Sequence, residues 1–173
     1  MTQVSRRTAI QAGAALGLGL SGLGRTASAQ EPIKLRITHF LSPMAPSQTM
    51  LFGPWAQRVE KDSGGRIKCE IYPSMQLGGK PPQIFDQVRT GVADVGWALP
   101  GYTPGRFPLS EVFELPFMVG RTAEATTQAM WEFYGKHLKD EFKDVHILLV
   151  HCHAPGLVHM KDKLVTKMED LQG

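Results

Sequence analysis

Three short apolar runs, LRITHF at 35–40, RIKCEIY at 66–72 and DVGWAL at 94–99, alternate with two stretches of helical spacing, and that order constrains the fold more than anything else in the chain. In the first run apolar and polar residues alternate, with Lys34 and Arg36 outward. In the second, Ile67, Cys69 and Ile71 take one side while Lys68 and Glu70 take the other. Between them Met50, Leu51, Trp55, Ala56 and Val59 recur at helical spacing over 48–62, and Gly64 and Gly65 stop the pattern. Pro54 falls inside that run, so it allows either a kinked helix or a single turn followed by a helix with Pro54 in its first turn. Pro81 and Pro82 suit the start of a second helix over 83–90, with Ile84, Phe85 and Val88 as its buried face. Connections of this length imply parallel pairing with right-handed crossovers. The expected fold class is therefore α/β, a mostly parallel sheet flanked by helices.

The third run, read as a buried strand, ends in a loop that Pro100, Gly101, Pro104, Gly105 and Pro108 keep irregular. Trp97, Tyr102 and Phe107 are thus carried at the C-terminal end of a strand, where open α/β sheets bind ligands. Such rings can line a pocket for a small molecule, and packing is the competing role. Glu111 and Glu114 read as solvated residues of a surface turn. Thr122 can cap a long helix reaching about residue 142, with Ala125, Ala129, Phe133 and Leu138 towards the core. VHILLV at 145–150 reads as a central strand covered on both faces. Beyond it, residues 151–163 are extended and intermittently polar, and MEDLQG begins a helical turn.

Residues 1–29 read as an export signal. Arg6 and Arg7 precede an apolar run at 12–23, and Ala27, Ser28 and Ala29 supply a cleavage site after Ala29. The paired arginines resemble a twin-arginine signal, although Ala9 and Gln11 depart from its usual pattern. The apolar run is short of the about 20 residues a spanning helix needs and is diluted by Gly13, Gly17, Gly19 and Gly22, so a permanent membrane anchor is not expected. A periplasmic location follows. Three of the 19 lysines and arginines, Arg6, Arg7 and Arg25, lie in this leader, so the remainder balances at 16 basic against 16 acidic residues. That balance favours neither nucleic acid nor an anionic membrane as partner.

Cys69 and Cys152, the two cysteines, each sit in a strand-like run that favours a buried free thiol over a disulfide. His151, Cys152, His153 and His159 carry ligand-type atoms, but alternation sends His151 and His153 to one face and Cys152 to the other. No metal or cofactor is expected. No nucleophile elbow, HExxH or other catalytic motif is present, so the chain does not read as an enzyme.

Five passages in order, LRITHFLSP, SGGRIKCEIYPSMQLGG, TGVADVGWALPGY, FELPFM and LVTKMEDLQG, resemble the periplasmic substrate-binding proteins of tripartite ATP-independent (TRAP) transporters, the DctP-like solute receptors. The resemblance spans 33–173. It implies two α/β lobes closing on a carboxylate-bearing solute for a membrane permease. On it, 30–150 is the first lobe and 151–173 a hinge segment and the start of the second. His39 and Phe40 at one strand tip, with Trp97, Ala98, Gly101 and Tyr102 after the third strand, become candidate solute contacts; His153 joins them as a hinge residue able to face the cleft.

The resemblance also implies a carboxylate-binding arginine beyond DLQG. This sequence stops before such a position, so little binding by the chain alone is expected. A further arginine of some relatives aligns with Leu157, which favours an apolar or aromatic acid over a sugar acid. If His151 or His153 faces the cleft, acid binding is expected to strengthen as pH falls towards about 6. Two alternatives remain: the binding protein of an ATP-driven importer, and a secreted metal-binding or hydrolytic domain built on the segment from His151 to His159.

Overall fold

The computed structural model describes residues 31–154, 156, 159–161 and 164–171. The expected leader at 1–29 and Leu157 lie outside them. From Ile33 onward the described residues form one compact unit.

The sheet has three strands: β1 (Ile33–His39), β2 (Ile67–Tyr72) and β3 (Val95–Trp97). All pair in parallel, in the order β2-β1-β3. β1 is central because both its edges are used. Its register on one side runs from Ile33 opposite Ile67 to Thr38 opposite Tyr72, and on the other from Ile37 opposite Val95 to His39 opposite Trp97. Burial rises along β1 until Ile37, Thr38 and His39 are sealed from solvent. The chain leaves β1 for β2 on one side and then crosses to β3 on the other. The point where strand order reverses therefore lies between the tips of β1 and β3, where α/β sheets leave a crevice.

Of the two readings around Pro54, the second holds. A wide, π-helical turn at Ser47–Phe52 leads into α1 (Gly53–Asp62), with Pro54 in its first turn. The Gly53 N–H reaches back to the Gln48 carbonyl, five residues earlier, beside a proline that has no N–H to offer. The π-helical turn and α1 pack on the sheet through Phe52 and Ala56, which join Ile37, Trp55, Cys69, Ile71, Val95 and Trp97 in one core. A 3-10 turn at Pro81–Gln83 precedes α2 (Ile84–Arg89). Ile84 is fully buried there, and Phe85 and Val88 are half-buried. Gly96 of β3 lets α2 approach: a Cβ on it would stand 2.7 Å from both Ile84 Cγ2 and Val88 Cγ2.

β3 is shorter and more open than its sequence suggests. Only Val95–Trp97 pairs, and all three residues are half-buried. Asp94 clamps the strand's start instead, accepting from the Arg36 backbone N–H at 2.8 Å and its Nε at 3.1 Å.

α3 (Ala123–Phe133) is capped by Thr122, whose hydroxyl accepts from the Ala125 N–H. Its inward face is the expected one at Phe133 and, beyond its end, at Leu138, but not in its first turns. Ala125 and Ala129 are exposed, whereas Thr126 and Met130 are buried. Thr126 can be buried because its hydroxyl donates to the Thr122 carbonyl and accepts from the Gly120 N–H. A π-helical turn, Tyr134–Leu138, continues the helix and buries Leu138 with Phe107 and Phe142 in a second core.

Residues 145–150 correct a second expectation. They form no strand, and Leu148 and Leu149 remain 57% and 50% exposed. Val145 and Ile147 pack against the second core. An apolar run becomes a central strand when it has a ladder partner and a layer on each face; here one side is covered and β3 offers just three residues. The final turn, Met168–Leu171, is 3-10.

Candidate functional site

At the crevice between the tips of β1 and β3 the side chains are aromatic. Phe40, one residue beyond β1, stacks on Trp97 with ring centroids 5.1 Å apart and lies 5.4 Å from Tyr102. Trp97 also meets the edge of Phe52 at 6.4 Å. Tyr102 sits in a 3-10 turn, Pro100–Tyr102, and is 45% exposed. Four of the sequence candidates, Phe40, Trp97, Gly101 and Tyr102, are therefore gathered at one strand-tip crevice, with Ala98 between them in the chain.

Glu114 holds this turn in place and does not merely solvate it. Its carboxylate accepts from the Gly101 N–H at 2.8 Å, and a Cβ at Gly101 would fall 1.7 Å from Glu114 Oε2. Glu111 does the same for the next turn, accepting from the Gly105 N–H at 2.7 Å. Both glutamates are thus loop braces, which corrects their reading as solvated surface residues. Phe107 is not at the crevice; it is buried beside Phe85 and Phe142.

His39 is placed at the crevice but faces inward. Its ring is fully buried, stacks on Phe52 at 5.0 Å, and donates from Nε2 to Gln48 Oε1 at 2.6 Å. Its Nδ1 has no partner among the described residues. His153 is exposed, and its Nδ1 donates to the neighbouring Ala154 carbonyl. Among the described contacts it makes none with the aromatic cluster.

His151, weighed in the sequence only as a residue that could face the cleft and not counted among the solute contacts, joins the cluster. Its Nε2 accepts from Trp97 Nε1–H at 2.8 Å, and the two ring planes are parallel to within 3°. Burial against the cluster pushes its imidazole below its ordinary pKa, and the charge of His153 adds to that. One signal was available: a partly buried indole N–H needs an acceptor, and none lies close in sequence. Next to it, the Cys152 N–H is held by Thr127 Oγ1 at 2.9 Å on α3, and burial pushes the Cys152 thiol up. Both cysteines are free.

A cavity of about 370 Å³ lies beside the cluster, between β3 and residues 145–151. It shares Trp97, Ala98 and His151 with the site, but Phe40 and Tyr102 are not on its wall, and its far side is core: Phe85, Phe107, Met130 and Phe142. Stacking geometry, and not this void, marks the site. Neither the cavity wall nor the ring contacts of the cluster include a lysine or arginine among the described residues. No group of three His, Cys, Asp or Glu among the described residues could hold a metal ion. No helix among them is long and apolar enough to cross a membrane.

The family model of the bacterial extracellular solute-binding proteins, family 7 (DctP), matches residues 37–173. The chain belongs to this family. Among DctP-like proteins of known structure, it is 48% identical to a marine metagenome TRAP solute-binding protein specific for aromatic acid ligands, crystallised with 3-hydroxybenzoate; the match has a TM-score of 0.76 and covers 83% of this chain and 44% of that one. A TRAP solute-binding protein of Rhodoferax ferrireducens in complex with copurified benzoate is 47% identical, with a TM-score of 0.75 and coverage of 82% and 44%. A curated relative, the outer membrane transporter protein TsaT of Comamonas testosteroni, is 28% identical over 141 residues, 80% of this chain and 41% of its own length. The chain thus spans less than half the length of each of these three proteins. As a DctP-family chain it carries the parallel sheet and flanking helices of a TRAP solute-binding lobe, and the family itself is extracellular.

Proposed function

We propose that this chain supplies the ring-holding side of an extracytoplasmic receptor for a small aromatic carboxylate, delivered to a TRAP membrane permease after export through the leader at 1–29. The observation that carries the reading is the aromatic cluster of Phe40, Trp97 and Tyr102 at the reversal point of the sheet. Ring-on-ring contacts of this kind contribute about 0.5–1.5 kcal/mol each beyond area burial. The aromatic acids bound by the two neighbours at 47–48% identity agree with it.

In this reading Phe40, Trp97 and Tyr102 touch the ring, while Ala98 and Gly101 keep the wall thin. His39 stays behind the wall as a buried support. His153, turned to Ala154, has the weakest claim of the candidates. The role is binding without catalysis. Among the described residues no guanidinium stands beside the cluster to clamp the acid in two-point fashion, and in this reading the rings supply the contacts.

Ligand-observed NMR with benzoate, 3-hydroxybenzoate and galacturonate tests this. The two aromatic acids should bind with a Kd on the order of 1 mM, equivalent to about −4 kcal/mol, and Trp97→Ala should abolish the signal. Galacturonate should not bind. Equal binding of all three, or a micromolar Kd for this chain, would overturn the proposed division of the site.

A further inference from the structure

The hydrogen bond between Trp97 and His151 has a fixed direction, because an indole N–H can only donate. His151 Nε2 must therefore carry a lone pair, and the ring's single proton must sit on Nδ1. The bond joins two parts of the chain that the sequence separates: the tip of β3 and the segment after residue 150, which is otherwise tied down by the Cys152 N–H on Thr127. We propose that His151 is the positioning residue of the aromatic site, holding the Trp97 ring in register with Phe40 only while its imidazole is neutral. This rests on the aromatic-acid reading and gives it a regulator.

The consequence reverses a simple expectation. An imidazolium near an acid would ordinarily strengthen binding by charge. Here protonation places a hydrogen on Nε2, the atom that accepts from Trp97, so the bond is lost and two N–H groups oppose each other. The ring platform loosens as pH falls. Few other charges bear on His151. His153, on its own segment, disfavours its protonation further. The Cys152 thiol between them stays neutral, since burial raises its pKa. From α3 the contacts to this segment include the hydroxyl of Thr127 and the thioether of Met130, neither of which titrates. From the loop after β3, the carboxylate of Glu114 acts on Cys152 and is held by the Gly101 N–H; the phenol of Tyr102 belongs to the ring that meets Phe40.

The test combines the Trp97 indole ¹H–¹⁵N signal, assigned by its absence in Trp97→Phe, with benzoate titrations at about pH 7.5 and about pH 5.5, where benzoate is ionised and a neutral histidine becomes charged. In the wild type the indole signal should move with pH, with a midpoint below that of a free imidazole. The benzoate Kd should rise about fivefold between the two pH values, the worth of one ordinary hydrogen bond. His151→Gln, whose side-chain carbonyl can accept but not titrate, should keep the affinity of pH 7.5 and lose the pH dependence. His151→Phe should bind about fivefold more weakly at both.

A wild-type Kd that falls on acidification, an indole signal indifferent to pH, or an unchanged pH profile in His151→Gln would each overturn the proposal. If the indole signal titrates as expected while neither benzoate nor 3-hydroxybenzoate shifts it, the hold of His151 on Trp97 is supported and the aromatic-acid reading is what fails.

Discussion

Gly96 shows how one atom sets the spacing of the layers. An added methyl would meet two branched side chains of α2 at 2.7 Å, inside a core with no free end to yield. Gly96→Ala should therefore destabilise the fold by about 1–3 kcal/mol, read as a lower urea midpoint at unchanged slope; a neutral effect would mean that α2 is not seated on β3 as described. Gly101→Ala collides more closely, at 1.7 Å, but with the carboxylate of Glu114, the end of a flexible side chain. Its cost should be smaller, about 1 kcal/mol for the lost hydrogen bond. Trp97 and Tyr102 were legible in the sequence as rings at a strand tip. Which way His39 and His151 face was not legible there, because it depends on partners elsewhere in the chain, Gln48 within the first helical turn and Trp97 at the tip of β3.

At the scale of elements, the parallel order and helix positions followed from periodicity, since each run has length and spacing that only one arrangement satisfies. Two elements did not follow. The helix after Thr122 keeps Phe133 and Leu138 inward but turns Ala125 and Ala129 out in favour of Thr126, whose hydroxyl is satisfied within the helix start. Residues 145–150 looked like a strand by composition, but pairing depends on a neighbour's free edge, which no apolar run can report. The cap on α3 was legible, and it is testable: Thr122→Ala should cost about 1 kcal/mol, seen as a lower thermal midpoint, whereas no change would show that the Ala125 N–H is satisfied elsewhere.

α2 is also tied to the loop after β3 by charge. Arg106 donates through both terminal nitrogens to the Asp86 carboxylate at 2.8 Å, and Arg89 reaches the same group. Arg106, with Arg89 helping, holds Asp86 far below the usual carboxylate range. A depressed acid pKa contributes stability that is complete above the unfolded value of about 3.9 and is lost as pH falls below it towards the folded value. Both partners are about a third or more exposed, so the effect is modest. The stability difference between wild type and Arg106→Leu should be widest above about pH 4 and narrow below it. A difference that stays constant to about pH 2 would show that Arg106 acts through its packing over Phe85 and Phe107 alone.

For the molecule as a whole, two cores flank one crevice. The first, around Ile37, fixes β1 under α1; the second, around Leu138, fixes the loops after β3. The aromatic cluster sits where the chain's topology reverses, and its rings come from three segments that only this fold brings together. The most direct check is chemical-shift mapping of the uniformly ¹⁵N-labelled chain titrated with 3-hydroxybenzoate. The expected pattern centres on the Trp97 indole and the amides of Phe40, Ala98, Tyr102 and His151. Shifts confined to Met130, Phe142 and their neighbours on the far cavity wall, or no shifts up to about tenfold the expected millimolar Kd, would contradict it.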